Sequence, residues 1–447
     1  MSYFDRSGPV SLYLHFPFCE RKCRYCDFLS GPADAEAREE YIELLCREIR
    51  LRACEAAEAA DPAADQPALE ASVGDFPDPL LADLRAGKLA PVDTVFIGGG
   101  TPSLMTPSQA ARVMEAVYDS YCVAGDAEIS MEVNPGTADF EKLRGFKAAG
   151  INRLSIGVQS FDDAELRMLG RIHTASEARE IFRAARKAGF DNINLDLMSA
   201  LPGQKIETWT RTLREAVSLG PEHLSAYSLI IEDGTPFASM LDSKLLPELP
   251  SEEEDREMYH FTKEFLASNG YRRYEISNYA RNGFECRHNC GYWTGHQYLG
   301  LGLGASSDLG IERFRNPDRM EEYREAVNSL ARDPSSSLNP IYIRNERQLL
   351  TPEERMEEFM FLGLRMTDGV SANEFKRRFG ITLEDRFGEV LRRHLEQNVI
   401  CRIPAEGKDR FGQSGVLRQG QPETDTRIAL TEYGMDVANF VMADYIL

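Results

Sequence analysis

Three cysteines, Cys19, Cys23 and Cys26, fall within the eight-residue run CERKCRYC. Thiolates spaced four and three residues apart on one loop can wrap a single soft metal centre. A [4Fe–4S] cluster held by three cysteines leaves one iron without a protein ligand, open to a small molecule. Structural zinc closes with four ligands, and no nearby fourth Cys or His completes that set, so the cluster is preferred over zinc and over inert thiols. The other six cysteines, Cys46, Cys54, Cys122, Cys286, Cys290 and Cys401, are dispersed. An odd count of nine argues against a disulfide framework and for a reducing compartment.

A second group, CRHNCGYW at residues 286–293, sets His288 and Cys290 among aromatic residues. Imidazole and thiolate both ligate haem iron, although a lone histidine near aromatics is ordinarily structural. The run GLGLGA at 300–305 lacks the G-x-G-x-x-G spacing of a dinucleotide turn and reads as a tight glycine strand. Lys and Arg number 51 against 72 Asp and Glu, a net charge of −21, which disfavours non-specific nucleic-acid or anionic-membrane binding. No apolar run approaches the ~18–20 residues of a membrane span. The first residues, MSYFDRSGPVSLYLHF, lack the basic and apolar regions of a secretory signal. A cytoplasmic protein is expected, and nothing in the sequence indicates membrane contact.

Residues of these types must be held by regular elements, and β-rich runs at 10–16, 93–97, 128–133, 153–158, 192–197 and 223–230 predict six strands. Helical patterns begin at about residue 34 and recur at 107–121, 138–149, 176–188 and 205–219. Repeated βα units imply a parallel sheet with right-handed crossovers. The fold class expected is α/β, a partial (β/α)6 TIM-like barrel, with chemistry at the C-terminal strand ends. Those ends carry FPFCERKC, GGGTPS, EVNPG, GVQSF and DLMSALPGQ. Beyond about residue 345, helices at 352–365, 371–379, 383–397 and 431–445 and short strands at 399–403 and 427–430 predict a mainly helical, winged-helix-like domain. The domains are read as 1–310 (with an insertion at 53–90), a linker at 311–350 and a C-terminal domain at 351–447.

The C-x3-C-x2-C loop between a first strand and a βα series resembles the radical S-adenosylmethionine superfamily. LYLHFPFCERKCRYCDF, FIGGGTPSLM, EVNPGT, RLSIGVQSFDD, LGRIHT and LDLMSALPGQ, in this order, narrow the resemblance to the oxygen-independent coproporphyrinogen III oxidase family. Within it they are most similar to the haem chaperone branch, HemW. The resemblance implies that S-adenosylmethionine chelates the open iron and is cleaved by one electron to a 5′-deoxyadenosyl radical. It also implies cofactor contacts by Tyr13, Tyr25, Gly99, Gly100, Thr101, Glu132, Gln159, Arg171 and Asp196. Arg171 would pair with the carboxylate, and Glu132 and Asp196 would meet ribose hydroxyls or positive charge. A side chain at Gly100 is expected to block that approach while leaving the cysteine loop intact. HNxxY, here His288 to Tyr292, matches the branch's haem motif, with His288 as axial ligand and Cys290 as the alternative.

The function expected is a haem chaperone that transfers haem to an acceptor protein, with an electron donor as a further partner and no nucleic acid. The alternatives are the oxidase itself or another radical enzyme, a methyltransferase or haem-degrading relative. Two departures disfavour the oxidase: Phe28 stands where its pattern has a fourth cysteine, and eighteen residues precede Cys19, fewer than the oxidase uses to enclose its substrate. Because the loop holds no spare thiol, Cys23→Ala is expected to leave an under-coordinated cluster. Iron and sulfide analysis after anaerobic reconstitution should find it depleted, and full retention of four irons per chain would contradict the assignment.

Overall fold

The apolar run ahead of the cysteines forms β1 (Val10–Phe16), and α1 (Ala35–Glu58) follows the cysteine loop. Alternation then gives β2 (Val92–Gly99), α2 (Pro107–Ser120), β3 (Val123–Val133), α3 (Phe140–Ala148) and β4 (Arg153–Gln159). Next come α4 (Asp163–Leu169), α5 (Ala175–Lys187), β5 (Ile193–Ser199), α6 (Ile206–Leu219) and β6 (His223–Ser228). All six expected strands are present, within a few residues of their predicted ends. The computed structural model describes residues 10–58, 91–310, 312–330, 345–404 and 425–446, so most of the expected 53–90 insertion lies outside the described residues.

The crossover helices start where side-chain oxygens can satisfy first-turn N–H groups. Thr106 and Thr174 form capping boxes with Gln109 and Glu177, and Asp139 and Asp162 cap α3 and α4. β4 is buried along its whole length, as expected for a parallel strand covered on both faces.

After α7 (Pro236–Asp242) and α8 (Glu252–Ser268) come a short hairpin, β7 (Arg272–Arg273) with β8 (Asn278–Ala280), and α9 (Arg287–Trp293). β9 (Tyr298–Leu301) then pairs parallel with β1. The glycine strand expected at 300–305 is thus a seventh parallel strand that begins at Tyr298, and its pairing beside β1 is the feature no hydrophobic pattern announces. Gly300 is needed there, since a Cβ would collide with the Ser306 carbonyl. β10 (Ser306–Asp308), β11 (Glu312–Arg315) and, after α10 (Met320–Leu330), β12 (Asn345–Leu349) continue the sheet antiparallel. The segment read as a 311–350 linker thus carries two strands and a helix. β1 lies between β2 and β9 in an order β12-β11-β10-β9-β1-β2-β3-β4-β5-β6. The strand that delivers the cysteines is therefore interior to the sheet.

The described residues divide into two compact units, one drawn from 10–262 and 297–349, the other from 263–296 and 350–446. Residues 263–296, expected within the barrel domain, group with the C-terminal residues. Thr367 donates to the Tyr274 carbonyl at 2.9 Å, Arg272 pairs with Asp368 at 2.6 Å, and the Arg365 guanidinium lies 4.3 Å over the Trp293 ring. In this unit α11 (Pro352–Gly363), β13 (Val370–Ser371), α12 (Ala372–Phe379), α13 (Leu383–Glu396), β14 (Ile400–Pro404) and β15 (Thr426–Leu430) follow in order. Their antiparallel order β13-β15-β14 and three helices give the winged-helix-like arrangement. The expected helix at 431–445 is two short ones, α14 (Glu432–Asp436) and α15 (Ala438–Ala443).

In the barrel unit, α1 is tied to the glycine strand by Glu48, which is 0% exposed. Its carboxylate accepts from Gly302 N at 2.7 Å, Asn316 Nδ2 at 2.8 Å and Tyr323 Oη at 2.7 Å, with Arg52 Nε at 3.6 Å. Tyr41 Oη donates to the His15 carbonyl at 2.6 Å and accepts from Leu303 N at 3.1 Å, so the network reaches the end of β1. A buried charge is tolerated only when so partnered. Glu48→Ala is expected to cost about 3–5 kcal/mol of stability in urea unfolding. A loss within about 0.5 kcal/mol, the size of an ordinary surface substitution, would contradict this role.

Candidate metal centre

The cysteine loop leaves the C-terminal end of β1 and is fastened at both ends. Cys19 N donates to the Gly31 carbonyl at 2.9 Å and Gly31 N to the Pro17 carbonyl at 3.0 Å. In its middle, Arg24 N donates to the Leu169 carbonyl at 3.0 Å, and Arg21 Nη2 to the Gly170 carbonyl at 2.9 Å. Cys19, Cys23 and Cys26 are all free and partly exposed. Burial raises the Cys26 thiol above its ordinary range, which a bound metal would reverse by its own charge. Among the described residues no three His, Cys, Asp or Glu side chains are already gathered as a closed metal site. The fit to a cluster therefore rests on donor chemistry. Three soft thiols share one loop, and donors are aimed at two of them. Thr101 Oγ1 donates to Cys19 Sγ at 3.4 Å and Arg171 Nη1 to Cys23 Sγ at 3.5 Å.

The turn after β2 packs directly on this loop. Gly100 N donates to the Phe16 carbonyl at 2.8 Å. A Cβ on Gly100 would lie 2.6 Å from the Phe18 carbonyl oxygen and 3.0 Å from Cys19 Sγ. A side chain there must also shift the cysteine loop. Gly99 has φ +123°, and its Cβ would lie 2.8 Å from the His15 ring, so two constraints demand glycine.

The strand ends of β3, β4 and β5 supply the polar groups. Gly99 N donates to Glu132 Oε2 at 3.1 Å. Burial, reinforced by the neighbouring Asp196 charge, moves the Glu132 carboxyl from the ordinary 4.5 up to about 8. Asp196 is also raised by burial, opposed by bonds from Ser155 at 3.0 Å and Asn194 at 2.8 Å. Beneath it, Asn194 also binds Ser225 at 3.0 Å and His223 at 2.7 Å, a polar layer inside the barrel. Gln159, at the end of β4, holds a left-handed φ of +66° and accepts from Tyr227 Oη at 3.3 Å. Tyr13 Oη bonds His15 Nδ1 at 3.0 Å, and its ring stacks with Phe96 at 6.4 Å. Tyr25 packs against an apolar cluster with Leu169, Met198, Leu201 and Phe237. Burial holds both phenols well above their ordinary range.

Arg171 Nη2 donates to Asn134 Oδ1 at 2.7 Å and the Gly157 carbonyl at 2.6 Å, whereas its buried Nε has no hydrogen-bond partner. Asn134 Nδ2 in turn donates to Thr101 Oγ1 at 2.9 Å. Asn134 and Gly157 lie within the EVNPG and GVQSF motifs and are site residues that the sequence reading misses. Their position one residue after β3 and inside β4 was the available signal. His288, in the other unit, is 2% exposed, with Nε2 2.9 Å from Tyr292 Oη and the rings edge to face. The HNxxY spacing thus places both on one face of α9, while Cys290 is partly exposed. Phe28, at the position of the oxidase's fourth cysteine, is 68% exposed.

The profile described as the Radical SAM superfamily matches residues 67–216, and that of the HemN C-terminal domain matches 350–404. The chain is 34% identical to "Heme chaperone HemW" of Bacillus subtilis, over 87% of this chain and 92% of that protein. Its counterpart from Lactococcus lactis is 30% identical over 98% of each. The chain belongs to the HemW family. Another relative, mouse "Radical S-adenosyl methionine domain-containing protein 1, mitochondrial", is 36% identical over 86% of this chain and 79% of its own length. Among solved structures, Escherichia coli coproporphyrinogen III oxidase (HemN), described as a radical SAM enzyme, superposes with a TM-score of 0.74. The match has 21% identity and covers 99% of this chain and 91% of HemN. HemN therefore shares the fold of this HemW-family chain, a radical SAM fold with a helical C-terminal region. No helix among the described residues is long and apolar enough to cross a membrane.

Glu132 leaves a signature in the pH dependence of stability. Its carboxyl is raised from 4.5 to about 8 by folding, so between those values the folded state holds a proton that the unfolded state has lost. Its contribution is full below 4.5 and is lost as pH rises through about 8. Glu132→Gln is expected to flatten the decline in urea stability across that interval. An unchanged slope would contradict the placement of this carboxyl.

Proposed function

We propose that this chain is a haem chaperone that binds haem, a [4Fe–4S] cluster and S-adenosylmethionine and passes haem to an acceptor protein. The observation that carries this reading is its 34% identity over 92% of a relative named for that activity. Six ordered motifs support it, five of them at strand ends and the sixth, LGRIHT, between α4 and α5. Cys19, Cys23 and Cys26 are the cluster ligands. When bound, cluster and cofactor together supply one-electron chemistry; the chain positions them and excludes water.

Arg171 contributes most to that positioning. Nη1 serves Cys23, Nη2 serves Asn134 and Gly157, and the unpartnered Nε is left for the carboxylate of the cofactor. Gly99, Gly100 and Thr101 line the close approach, with Tyr13 on the strand before the loop and Tyr25 within it. Glu132, which retains a proton near neutral pH, and Asp196 meet ribose hydroxyls, with Gln159 beside them. An electron donor and a reducing cytoplasmic setting complete the proposal. The free state of all eight cysteines whose side chains are described suits that setting.

His288 is the proposed haem ligand, and ligation through Nε2 exchanges the Tyr292 hydroxyl for iron. His288→Ala is expected to weaken haem retention and alter the Soret and visible bands. Identical spectra and affinity would move the ligand elsewhere, with Cys290 the first alternative. Phe28 supports a chaperone over an oxidase, because an exposed phenyl replaces the extra thiol. Reconstituted chain given reductant, S-adenosylmethionine and coproporphyrinogen III under anaerobic conditions is expected to yield no protoporphyrinogen. Its appearance at catalytic turnover would overturn the chaperone reading in favour of the oxidase.

A further inference from the structure

The sulfurs of Cys19 and Cys23 are joined by a continuous chain of hydrogen bonds whose directions can be assigned. A guanidinium can only donate, so the Asn134 oxygen that lies 2.7 Å from Arg171 Nη2 is fixed as Oδ1. The amide nitrogen then faces Thr101 and donates to its hydroxyl at 2.9 Å. With a lone pair occupied by Asn134, the single Thr101 proton is directed to its remaining partner, Cys19 Sγ at 3.4 Å. Thr101 is 3% exposed, which shields the hydroxyl from competing water. Gly157 makes the first link possible. A Cβ there would lie 2.8 Å from Asn134 Oδ1 and 3.3 Å from Arg171 Nη2. One arginine therefore acts on both sulfurs, on Cys23 directly and on Cys19 through two intermediaries.

We propose that Asn134 is a positioning residue that fixes the Thr101 hydroxyl as a donor to Cys19 and thereby raises the reduction potential of the centre. The proposal rests on the reading of the three cysteines as [4Fe–4S] ligands. Reduction adds negative charge to the cluster, and donors to its sulfur ligands favour the reduced form. An aspartate at 134 would present only acceptors. The Thr101 proton would turn to it, Cys19 would lose its donor, and the new charge would oppose reduction as well. Valine at 101 deletes the donor without any charge, whereas serine keeps it.

The test is a redox titration of the anaerobically reconstituted full-length chain, followed by electron paramagnetic resonance. It compares the parent with Thr101→Val, Thr101→Ser, Asn134→Asp and the Val/Asp double variant. Thr101→Val is expected to shift the midpoint negative by about a tenfold change in the equilibrium, about 59 mV for one electron. Thr101→Ser should titrate like the parent. Asn134→Asp should shift negative in the parent but by less in the valine background, because part of its effect passes through the missing hydroxyl. Thr101→Ala takes valine's place if the valine variant does not assemble. An unshifted midpoint on losing the hydroxyl, or an Asn134→Asp shift of equal size in both backgrounds, would overturn the relay alone. A parent chain that takes up no cluster would overturn the cluster reading, and the relay with it.

Discussion

Arg171 is the group on which the geometry of the site depends. Its guanidinium binds a loop thiol, a strand-end amide and a strand carbonyl. A cation in that setting is tolerable because each occupied N–H meets an acceptor. Without it, the cysteine loop would lose its link to β3 and β4, and Asn134 could flip. The bare edge of Gly157 and the left-handed turn of Gly170, at φ +75°, both belong to this arrangement. They let the guanidinium lie close to the strand and the loop lie close to the turn.

The second constraint is the interior place of β1. A strand paired on both sides, to β2 through Phe16–Gly99 and to β9 through Leu14–Leu301, has little freedom at its end. The loop that follows it therefore starts from a fixed point. Glu48 and Tyr41 extend this fixation to α1 and the glycine strand, using a buried carboxylate and a phenol where apolar packing could not hold backbone N–H groups. Rigidity of this kind suits a loop that must present three thiols to one centre.

The fold was largely legible because the parallel strands of the βα series are short, nearly continuous apolar runs, and most of the helices that follow them carry a Thr or Asp cap, α6 with Lys205 at its N-cap being the exception. Legibility failed where side chains are missing. β9 carries Gly300, and its partnership with β1 depends on backbone approach, which leaves no hydrophobic pattern. The hairpin strands at 272–273 and 278–280 are too short to show alternation. Residues 263–296 join the C-terminal residues through polar pairs such as Arg272–Asp368 and backbone bonds such as Thr367 to Tyr274, which no local pattern encodes. At the site, the cysteine spacing named its own chemistry. Asn134 did not stand out, because its importance lies in which partners hold its two ends. His288 could be marked by its motif, but not its engagement with Tyr292.

On the proposed function, the loop thiols and the strand-end groups form one site for a cluster and S-adenosylmethionine. The most direct test is the electron paramagnetic resonance spectrum of the reduced, reconstituted chain, recorded with and without S-adenosylmethionine. A cluster with an iron open to the cofactor predicts a change in g-values on addition, abolished by Arg171→Ala in a chain that still carries four irons. An identical spectrum with and without the cofactor, at saturating concentration, would contradict the claim.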